Sequence, residues 1–481
     1  MLSQSLFGQS MFGAEEVERI FADRARVQRM LDFEAALARA EAGARVIPVQ
    51  VAGPIAEKCR VDFFDLGVLA TGARTAGNVA IPLIKQLTQL VAKENAEAGR
   101  YVHWGATSQD VIDTALVLQL REALGWIDER AGEVCEEFAS LADAHRATVV
   151  SGRTWMQHAV PISYGVKVAG WLDAMVRHRA RLRETRRRVL VLQFGGAAGT
   201  ISVLGRKGIE VAEALAGDLR LDLPAAPWHA HRDRVVEVAT TLALMIGTLG
   251  KIARDVSLQM QTEVGEVSEP AGEGRGGSST MPQKRNPVGC AMILAAAVRV
   301  PGLTSTMLTA MPQEHERGLG GWHAEWETLP EIVRLCAGAL RWAVDVIGGL
   351  EVDVERMKQN LELTHGLIFA EAVAMKLAEK MGKAAAHELL ASASRKAIRE
   401  RTHLRDVLSA DSGLTGHIGP KELAEIFDPV RELGSADEFI DRVIEGSRQL
   451  ASTPERRQQN SAPRIKQSSR VQARPSSKRR K

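Results

Sequence analysis

Cysteine is scarce in this 481-residue chain, which contains only Cys59, Cys135, Cys290 and Cys336. They are widely spaced, and no two of them form a C-x-x-C pair. The sequence therefore predicts neither a disulfide framework nor a zinc site. This cysteine usage is consistent with a reducing cytoplasm.

Aromatic residues are also rare, at 4% of the chain, whereas hydrophobic residues make up 45%. Because most of the apolar side chains are aliphatic, the composition favours packed helices over a β-sandwich. The first residues, MLSQSLFGQSMFGAEEVERIF, lack the basic start and apolar run of a signal peptide. No apolar stretch approaches the roughly 18 residues that a membrane helix needs, so we expect a cytoplasmic protein with no membrane partner.

The net charge of +3 hides an uneven distribution of charge. From Ser452 onward there are ten Lys or Arg residues and one Glu, a net charge of +9, which leaves −6 on the body before it. The segment 451–481 has almost no apolar residues and is predicted to be a disordered basic tail. Such a tail can bind nucleic acid, but it lacks aromatics and a folded reader, so we expect a solvated extension without a nucleic-acid partner.

Helical periodicity is unusually regular in two stretches of the chain. Apolar residues recur with alternating steps of three and four at Leu120, Leu124, Ile127, Ala131, Val134, Phe138 and Leu141, and again at Val235, Val238, Leu242, Met245, Leu249, Ile252 and Val256. This spacing places one apolar stripe along a long helix that packs nearly parallel or antiparallel to its neighbours. There is no βαβ alternation and no strong hairpin signal, so the predicted fold class is all-α.

The predicted organisation has three folded parts. An N-terminal helical domain covers 1–105, a central long-helix bundle with a catalytic loop covers 106–349, and a C-terminal helical domain covers 350–450.

One polar segment interrupts the central helices. It reads GEGRGGSSTMPQKRNP from Gly272 to Pro287, with clustered glycines, two serines, a lysine and an asparagine. Glycines permit hinge motion, and the hydroxyls, amides and cation suit a carboxylate that gains charge during a reaction. A solvated surface loop is the alternative for the GSS part alone.

The string GSSTMPQKRNP closely resembles the G-S-S-x-M-P-x-K-x-N signature of the fumarase/aspartase superfamily. Two further segments are similar to that superfamily's other signatures: VHWGATSQDV begins at Val102, and SGRTWMQHAVP begins at Ser151. The resemblance implies helical homotetramers in which each active site is shared between subunits. It also implies an enzyme that makes or breaks a bond β to a carboxylate, with no cofactor and no metal.

One position departs from the superfamily pattern, because Trp155 stands where adenylosuccinate lyases and fumarases place a histidine. GRTW-x-QHA is similar to the family of 3-carboxy-cis,cis-muconate cycloisomerases, and so are LVLQFGGAAGT, PWHAHRDR and LTHGLIFAEAV elsewhere in the chain. This resemblance implies a tricarboxylate substrate that is converted to a lactone. The alternatives are another lyase of the superfamily, chiefly an adenylosuccinate lyase, and a non-enzymatic structural protein built on this fold.

The resemblance also suggests roles for individual residues. Ser278 would transfer the proton, and Lys284 and Asn286 would bind substrate carboxylates. The other candidate substrate-binding residues are Thr107, Ser108, Thr154, Trp155, Gln157, His158, Ser279, Thr280, Met281, Arg232 and Arg317.

Several charged residues keep two interpretations. Arg153, Arg232, Arg234 and Arg317 are cations that could contact the substrate, or they could form helix-surface or intersubunit salt bridges. His158 lies beside the missing histidine and could replace it in part, or it could be a structural residue between subunits. The pair His229 and His231 suggests a metal only weakly, because no third ligand is evident.

Overall fold

The structure is a computed structural model that describes residues 6–272, 274–277, 280–281 and 283–453. Nineteen α-helices and four short β-strands lie in these segments, so the predicted all-α fold class is confirmed. The predicted tail begins at 451, but the last helix continues to Ser452. The rest of the tail, from 454 onward, lies outside the described residues.

Six helices precede the first long helix. They are α1 (Leu6–Phe12), α2 (Glu15–Ile20), α3 (Asp23–Gly43), α4 (Ala52–Lys58), α5 (Leu66–Ala76) and α6 (Ala80–Glu94), with 3-10 turns at Val49–Val51, Val61–Phe63 and Ala98–Tyr101. Helix α3 contains the sequence MLDFEAALARAEA, whose apolar face is buried.

The central part contains the long helices that the apolar stripes predict. They are α7 (Ser108–Ala144), α8 (Tyr164–Val189), α9 (Gly208–Leu219), α10 (Asp233–Gln259), α11 (Val288–Ala310) and α12 (Gly321–Gly348), with a 3-10 turn at Ser202–Lys207. Every residue of the two predicted stripes is buried, except that Leu141 is half-buried. Helix α7 packs against α8 and α12, and α10 packs against α8, α11 and α12, which forms the predicted bundle.

A β-hairpin lies between α7 and α8, and sequence reasoning missed it. Strand β1 (Val149–Thr154) pairs antiparallel with β2 (Gln157–Ser163), and the register shifts between Ser151 and Arg153. The hairpin was missed because its two-residue turn is Trp155–Met156, which lacks the Asn-Gly or Asp-Gly signal of such turns. A second short pair joins β3 (Val267–Ser268) to β4 (Glu351–Val352).

The remaining helices follow β4. They are α13 (Val354–Glu362), α14 (Ala370–Met381), α15 (Lys383–Glu400), α16 (Leu404–Ser409), α17 (Ser412–Thr415), α18 (Pro420–Ile426) and α19 (Ala436–Ser452), with 3-10 turns at Leu367–Phe369 and Pro429–Leu433. Helices α14 to α18 enclose a hydrophobic cluster of their own, whereas α19 packs against α8 of the central bundle.

The largest hydrophobic cluster runs from Ala14 through the bundle to Met357 and also includes Ile440 and Ile444 of α19. Helix α3 joins this cluster by packing against α7 and α9. The first six helices and the bundle therefore share one core. The domain boundaries at 105 and 349 stay predictions.

Two helices of the bundle are long and apolar enough to span a membrane by length and composition alone, namely α10 and α11. The expectation that no apolar stretch approaches this length is therefore wrong. Core helices of folded proteins pass the same test, and in α10 61% of the most apolar 18-residue window is buried inside the chain. In α11 only 33% of that window is buried.

Candidate active site

The N-terminus of α7 is held rigidly by one buried carboxylate. Asp110 is fully buried and accepts a hydrogen bond from the Thr107 amide at 3.1 Å. It also accepts the amides of Gly195 and Gly196, both at 2.9 Å, and lies 2.7 Å from His229 Nε2. Asp110 therefore fixes the Thr-Ser motif to the loop after α8.

The two glycines of that loop are required by its shape. A side chain at Gly195 would meet His229 Cε1 at 2.8 Å, and Gly196 has a φ of +66°. Both positions thus need a residue without a Cβ atom, so that the backbone can approach Asp110.

Arg317 is brought to the same place by the segment before α12. Its Nη1 donates to the Thr107 hydroxyl at 3.0 Å, and its Nη2 donates to the Ala197 carbonyl at 3.1 Å. Three predicted site residues, Thr107, Ser108 and Arg317, therefore lie together. Ser108 is half-buried, and its side chain and amide make no hydrogen bond within the described part of the chain.

Arg232, a predicted substrate-binding residue, lies inside a buried cluster of charged side chains. Its side chain is fully buried and donates to both oxygens of Asp113, at 2.7 and 3.1 Å. It also binds Glu325, and the Trp322 indole donates to Asp113 at 3.0 Å. The structure thus favours the salt-bridge interpretation of Arg232, since no part of the guanidinium is exposed to a substrate.

His103 is a candidate that sequence reasoning overlooked. Its Nδ1 lies 2.7 Å from Glu34 Oε1, and the Glu34 side chain is fully buried. Burial by itself would lower the pKa of His103, but the carboxylates of Glu34 and Asp110 together outweigh it, so the pKa is raised. His103 lies four residues before Thr107 within VHWGATS, and a histidine so close to that motif was the signal available.

The hairpin carries the predicted residues from Arg153 to His158. Arg153 forms a bidentate ion pair with the buried Glu266, at 2.9 and 2.6 Å, and Asn360 donates to the same carboxylate at 2.9 Å. Arg153 is therefore a structural clamp of the hairpin. His158 is half-buried with its Nδ1 3.4 Å from the Ser151 hydroxyl, and burial followed by the nearby Arg153 lowers its pKa.

The hairpin tip, which we define as Thr154–Gln157, stands away from the chain. All four residues are exposed, and Trp155 is 96% exposed. No hydrogen bond or ion pair between described residues joins the tip to Thr107, Ser108 or Arg317. Within one copy of the chain, the second motif is therefore not brought to the first.

The glycine-rich loop between β3 and α11 is described only in part. Ser278 and Ser279 lie outside the described residues. The neck of the loop is closed by a hydrogen bond from the Asn286 amide to the Gly276 carbonyl at 2.8 Å. Thr280, Met281 and Lys284 are exposed beyond this neck, and Asn286 is half-buried within it.

Two arginines that were not predicted anchor the same loop. Arg275 donates to Asp345 of α12 at 2.7 Å, and Arg285 forms a bidentate pair with Glu351 of β4 at 2.8 and 2.9 Å. The hydrogen bonds from Arg285 lower the pKa of the Glu351 carboxyl. Both ends of the loop are thus tied to neighbouring elements.

The remaining candidate residues are Arg234, His229 and His231, and each is engaged by another part of the chain. Arg234 is half-buried and donates to the Arg188 carbonyl. His229 is engaged by Asp110, and His231 pairs through its backbone with Pro312. No group of three ligating side chains that could hold a metal occurs among the described residues.

Known proteins give a consistent comparison with this geometry. A family model described as "Lyase" matches residues 10–302, and one described as "Adenylosuccinate lyase C-terminus" matches residues 366–443. A 3-carboxy-cis,cis-muconate cycloisomerase of Pseudomonas aeruginosa is 53% identical over 92% of this chain and 96% of its own length. The enzyme of the same name from Bradyrhizobium diazoefficiens is 54% identical over 88% of this chain and 94% of its own length.

A solved structure agrees with these sequence relatives. The 3-carboxy-cis,cis-muconate lactonizing enzyme of Pseudomonas putida superimposes with a TM-score of 0.89 at 50% identity. The alignment covers 94% of this chain and all of that one.

Proposed function

The chain belongs to the 3-carboxy-cis,cis-muconate cycloisomerase family, within the fumarase/aspartase superfamily, and we propose that its reaction occurs at sites assembled from several copies of the chain. As a cycloisomerase it interconverts 3-carboxy-cis,cis-muconate and γ-carboxymuconolactone, a step of protocatechuate degradation. The substrate carries three carboxylates, and no cofactor is needed because the nucleophile is one of these carboxylates.

The chemistry sets clear demands on the site. One carboxylate attacks an alkene carbon, a neighbouring carboxylate takes up the developing negative charge, and a proton is delivered to the carbon beside it. Fixed donors stabilise this charge, and removing one such donor typically costs about 10²–10³ in rate. Holding the nucleophile over the alkene matters as much, since well-oriented intramolecular reactions gain most from position.

The contact between Arg317 and Thr107 is the observation that carries the proposed location of the site. It places a cation beside the N-terminus of α7, where the Ser108 amide and hydroxyl make no hydrogen bond within the described residues. A helix N-terminus and an arginine together favour a carboxylate. Asp110 supplies rigidity, because it fixes the Thr107 amide and the facing glycine loop together.

The remaining roles follow from the glycine-rich loop. Ser278 transfers the proton, Lys284 and Asn286 bind carboxylates, and Ser279, Thr280 and Met281 complete the wall of the closed site. The neck between Gly276 and Asn286 supports this assignment, because it joins the two ends of the loop and leaves Lys284 exposed beyond it. A serine becomes competent for proton transfer when closure removes water around it.

A tetramer with shared sites accounts for the exposed hairpin tip. Among the described residues, no hydrogen bond or ion pair joins Thr107 to Thr154, Trp155, Gln157 or His158, and a second copy is proposed to supply these residues. A groove of about 1260 Å³ runs beside the hairpin and is lined by Met156, Trp171, Leu244, Leu308, Lys167 and Asp255, among others. Apolar residues such as Leu244 and Leu308 are about half exposed in this groove, and helices of neighbouring copies would cover them.

The assembled protein is proposed to be cytoplasmic, without membrane or nucleic-acid partners. The four cysteines are free and buried, which suits a reducing compartment.

A spectroscopic assay tests the activity. Purified protein is mixed with 3-carboxy-cis,cis-muconate, and loss of the diene absorbance is followed with time. We expect rapid loss with formation of the lactone, and no cleavage of adenylosuccinate in a parallel reaction. Cleavage of adenylosuccinate together with an unchanged muconate spectrum would instead assign the chain to the alternative lyase.

A further inference from the structure

The turn at the hairpin tip has an unfavourable backbone. Thr154 pairs with Gln157, so Trp155 and Met156 form a two-residue connection. Their φ angles are +49° and +66°, the pattern of a type I′ turn, which favours Asn-Gly. Two bulky residues in this left-handed region are strained, because their Cβ atoms crowd the following carbonyl.

The described part of the chain offers these two side chains little contact that could offset the strain. Trp155 is 96% exposed and Met156 is 75% exposed, so neither side chain gains much from contacts with its own copy. The base of the hairpin is different, since Arg153 is clamped to the buried Glu266 and β1 packs against α13. The strands are thus anchored, and the strained tip alone lacks support.

The two tip residues also face different surroundings. Met156 lines the groove with Trp171, Leu244 and Leu308, whereas Trp155 projects into solvent. The groove is the surface that the proposed assembly covers. Met156 is therefore placed to contact a neighbouring copy. Trp155 directly precedes Met156 along the backbone, so a contact that holds Met156 also restrains Trp155.

We infer that Met156 is a positioning residue, through which contact with a second copy of the chain holds the strained turn and sets the direction of Trp155 toward the substrate. This inference rests on the proposed function. A glycine would satisfy the φ of residue 156 but would leave the tip free to adopt other angles. A flexible thioether side chain can instead fill an irregular space between helices.

The experiment compares Met156→Gly with Met156→Leu, which keeps the apolar volume. Turnover and KM are measured on the assembled protein, with its mass checked by sedimentation. We expect kcat of Met156→Gly to fall roughly tenfold to a hundredfold with a small change in KM, as for a misplaced reacting geometry. Met156→Leu should stay within about threefold of the unsubstituted protein, since volume-conserving swaps are tolerated.

A double-mutant cycle with Trp155→Ala separates positioning from a general structural role. If Met156 acts through Trp155, Met156→Gly should have almost no further effect on kcat once Trp155 is removed. Additive losses would overturn the inference, as would full kcat in Met156→Gly. Loss of activity that is restored completely at high protein concentration would also overturn it, because Met156 would then serve assembly alone.

Failure of the proposed function gives a different result. In that case the unsubstituted protein leaves the muconate unchanged. The sedimentation measurements on the Met156 variants still show whether a second copy contacts the tip.

Discussion

Two regions of this molecule differ in whether their polar, apolar and strained groups find partners within one chain. The inner network, formed by Asp110, Asp113, His229, Arg232 and Glu325, is buried, and its charges are paired within one chain. The hairpin tip and the adjoining groove are exposed, and no element in the described part of the chain covers their apolar and strained residues.

Under the proposed assembly, this difference separates the part of the site that one copy forms from the part that a second copy supplies. The N-terminus of α7 is preorganised by the inner network, since Asp110 and Asp113 lie one turn apart on that helix. In the proposed assembly, the hairpin contributes its tip residues to a site shared with a second copy. Changes in the first region should therefore affect folding, and changes in the second should affect assembly and turnover.

The largest expected effect is a loss of turnover on changing a residue that belongs to neither of these two regions. Ser278→Ala should lower turnover by roughly 10²–10⁴-fold, because it removes the residue proposed to transfer the proton. Thermal unfolding and oligomeric mass should be unchanged. The measurement is kcat on the muconate beside a circular dichroism melt, with Ser452→Ala at the end of α19 as a matched control. Near-normal turnover in Ser278→Ala would refute its role.

Breaking the inner network should cost stability. Arg232→Met leaves Asp113 and Glu325 buried without their cation, and removal of one partner of a buried pair costs about 3–5 kcal/mol. Urea unfolding measures this loss. Arg19→Met is the control, because its pair with Glu15 is exposed and such pairs contribute less than about 1 kcal/mol. A stable variant with a greatly raised KM would restore the substrate-contact interpretation of Arg232.

A charged substitution in the groove should leave the single chain folded but weaken its assembly with other copies. Leu308→Asp places a charge on a side chain that is 50% exposed in one copy and is proposed to be buried in the tetramer. Sedimentation velocity should show smaller species, and activity should fall in proportion. Ile398→Asp is the control, since Ile398 is 63% exposed on α15, away from the groove. An intact tetramer in Leu308→Asp would place the interface elsewhere.

Trp155→His asks whether the tip determines specificity. The tryptophan offers a large apolar face and no titrating acid, so its replacement should lower kcat/KM for the muconate by about 10–200-fold, the range of an altered pocket contact. Folding should not change, because the side chain is exposed in the single copy. If activity on the muconate is unaffected, the tryptophan only marks the family.

The last expected effect is a pH dependence of stability, and it concerns a buried carboxyl. Neither oxygen of Glu41 has a hydrogen-bond partner among the described residues, and burial followed by the nearby Glu34 raises its pKa to about 9. The folded state thus holds a proton that the unfolded state releases above pH 4.5. Stability from this group is full below pH 4.5 and is lost as the pH rises toward 9.

Glu41→Gln should remove that pH dependence. The variant should be more resistant to heat than the unsubstituted protein at pH 8.5, and the advantage should shrink toward pH 5. Melting curves across this range measure the slope. Parallel curves for the two proteins would show that Glu41 is ionised in the folded state and has a partner there.

Much of the site could be predicted from residues alone. The spacing of Leu120, Ile127 and Phe138 predicts the buried stripe of α7, because a helical period is a local property of the chain. The three signature motifs and Trp155 indicate the family. Thr107, Ser108 and Arg317 were then found together, although more than two hundred residues separate Thr107 from Arg317.

Other features could not be predicted for physical reasons. The hairpin was missed because its turn contains Trp155 and Met156, whose positive φ angles oppose their own preferences. His103 and Glu34 lie 69 residues apart, and their pairing depends on how α3 packs. The sequence left Arg232 with two interpretations, a substrate contact or a salt bridge, since a sequence shows a charge but not the depth at which it lies.

The sequence by itself therefore determined the helical class and the family, and it predicts the reacting groups, because helical period and motifs are local properties of the chain. Only the tertiary structure decided which charged side chains pair with each other within the chain and which remain for a ligand or a second copy. The reason is that pairing depends on burial and distance between segments far apart in sequence. The sequence gives Arg232 and Arg317 the same two interpretations. In the structure, two carboxylates enclose Arg232, whereas Arg317 contacts Thr107 at the N-terminus of α7.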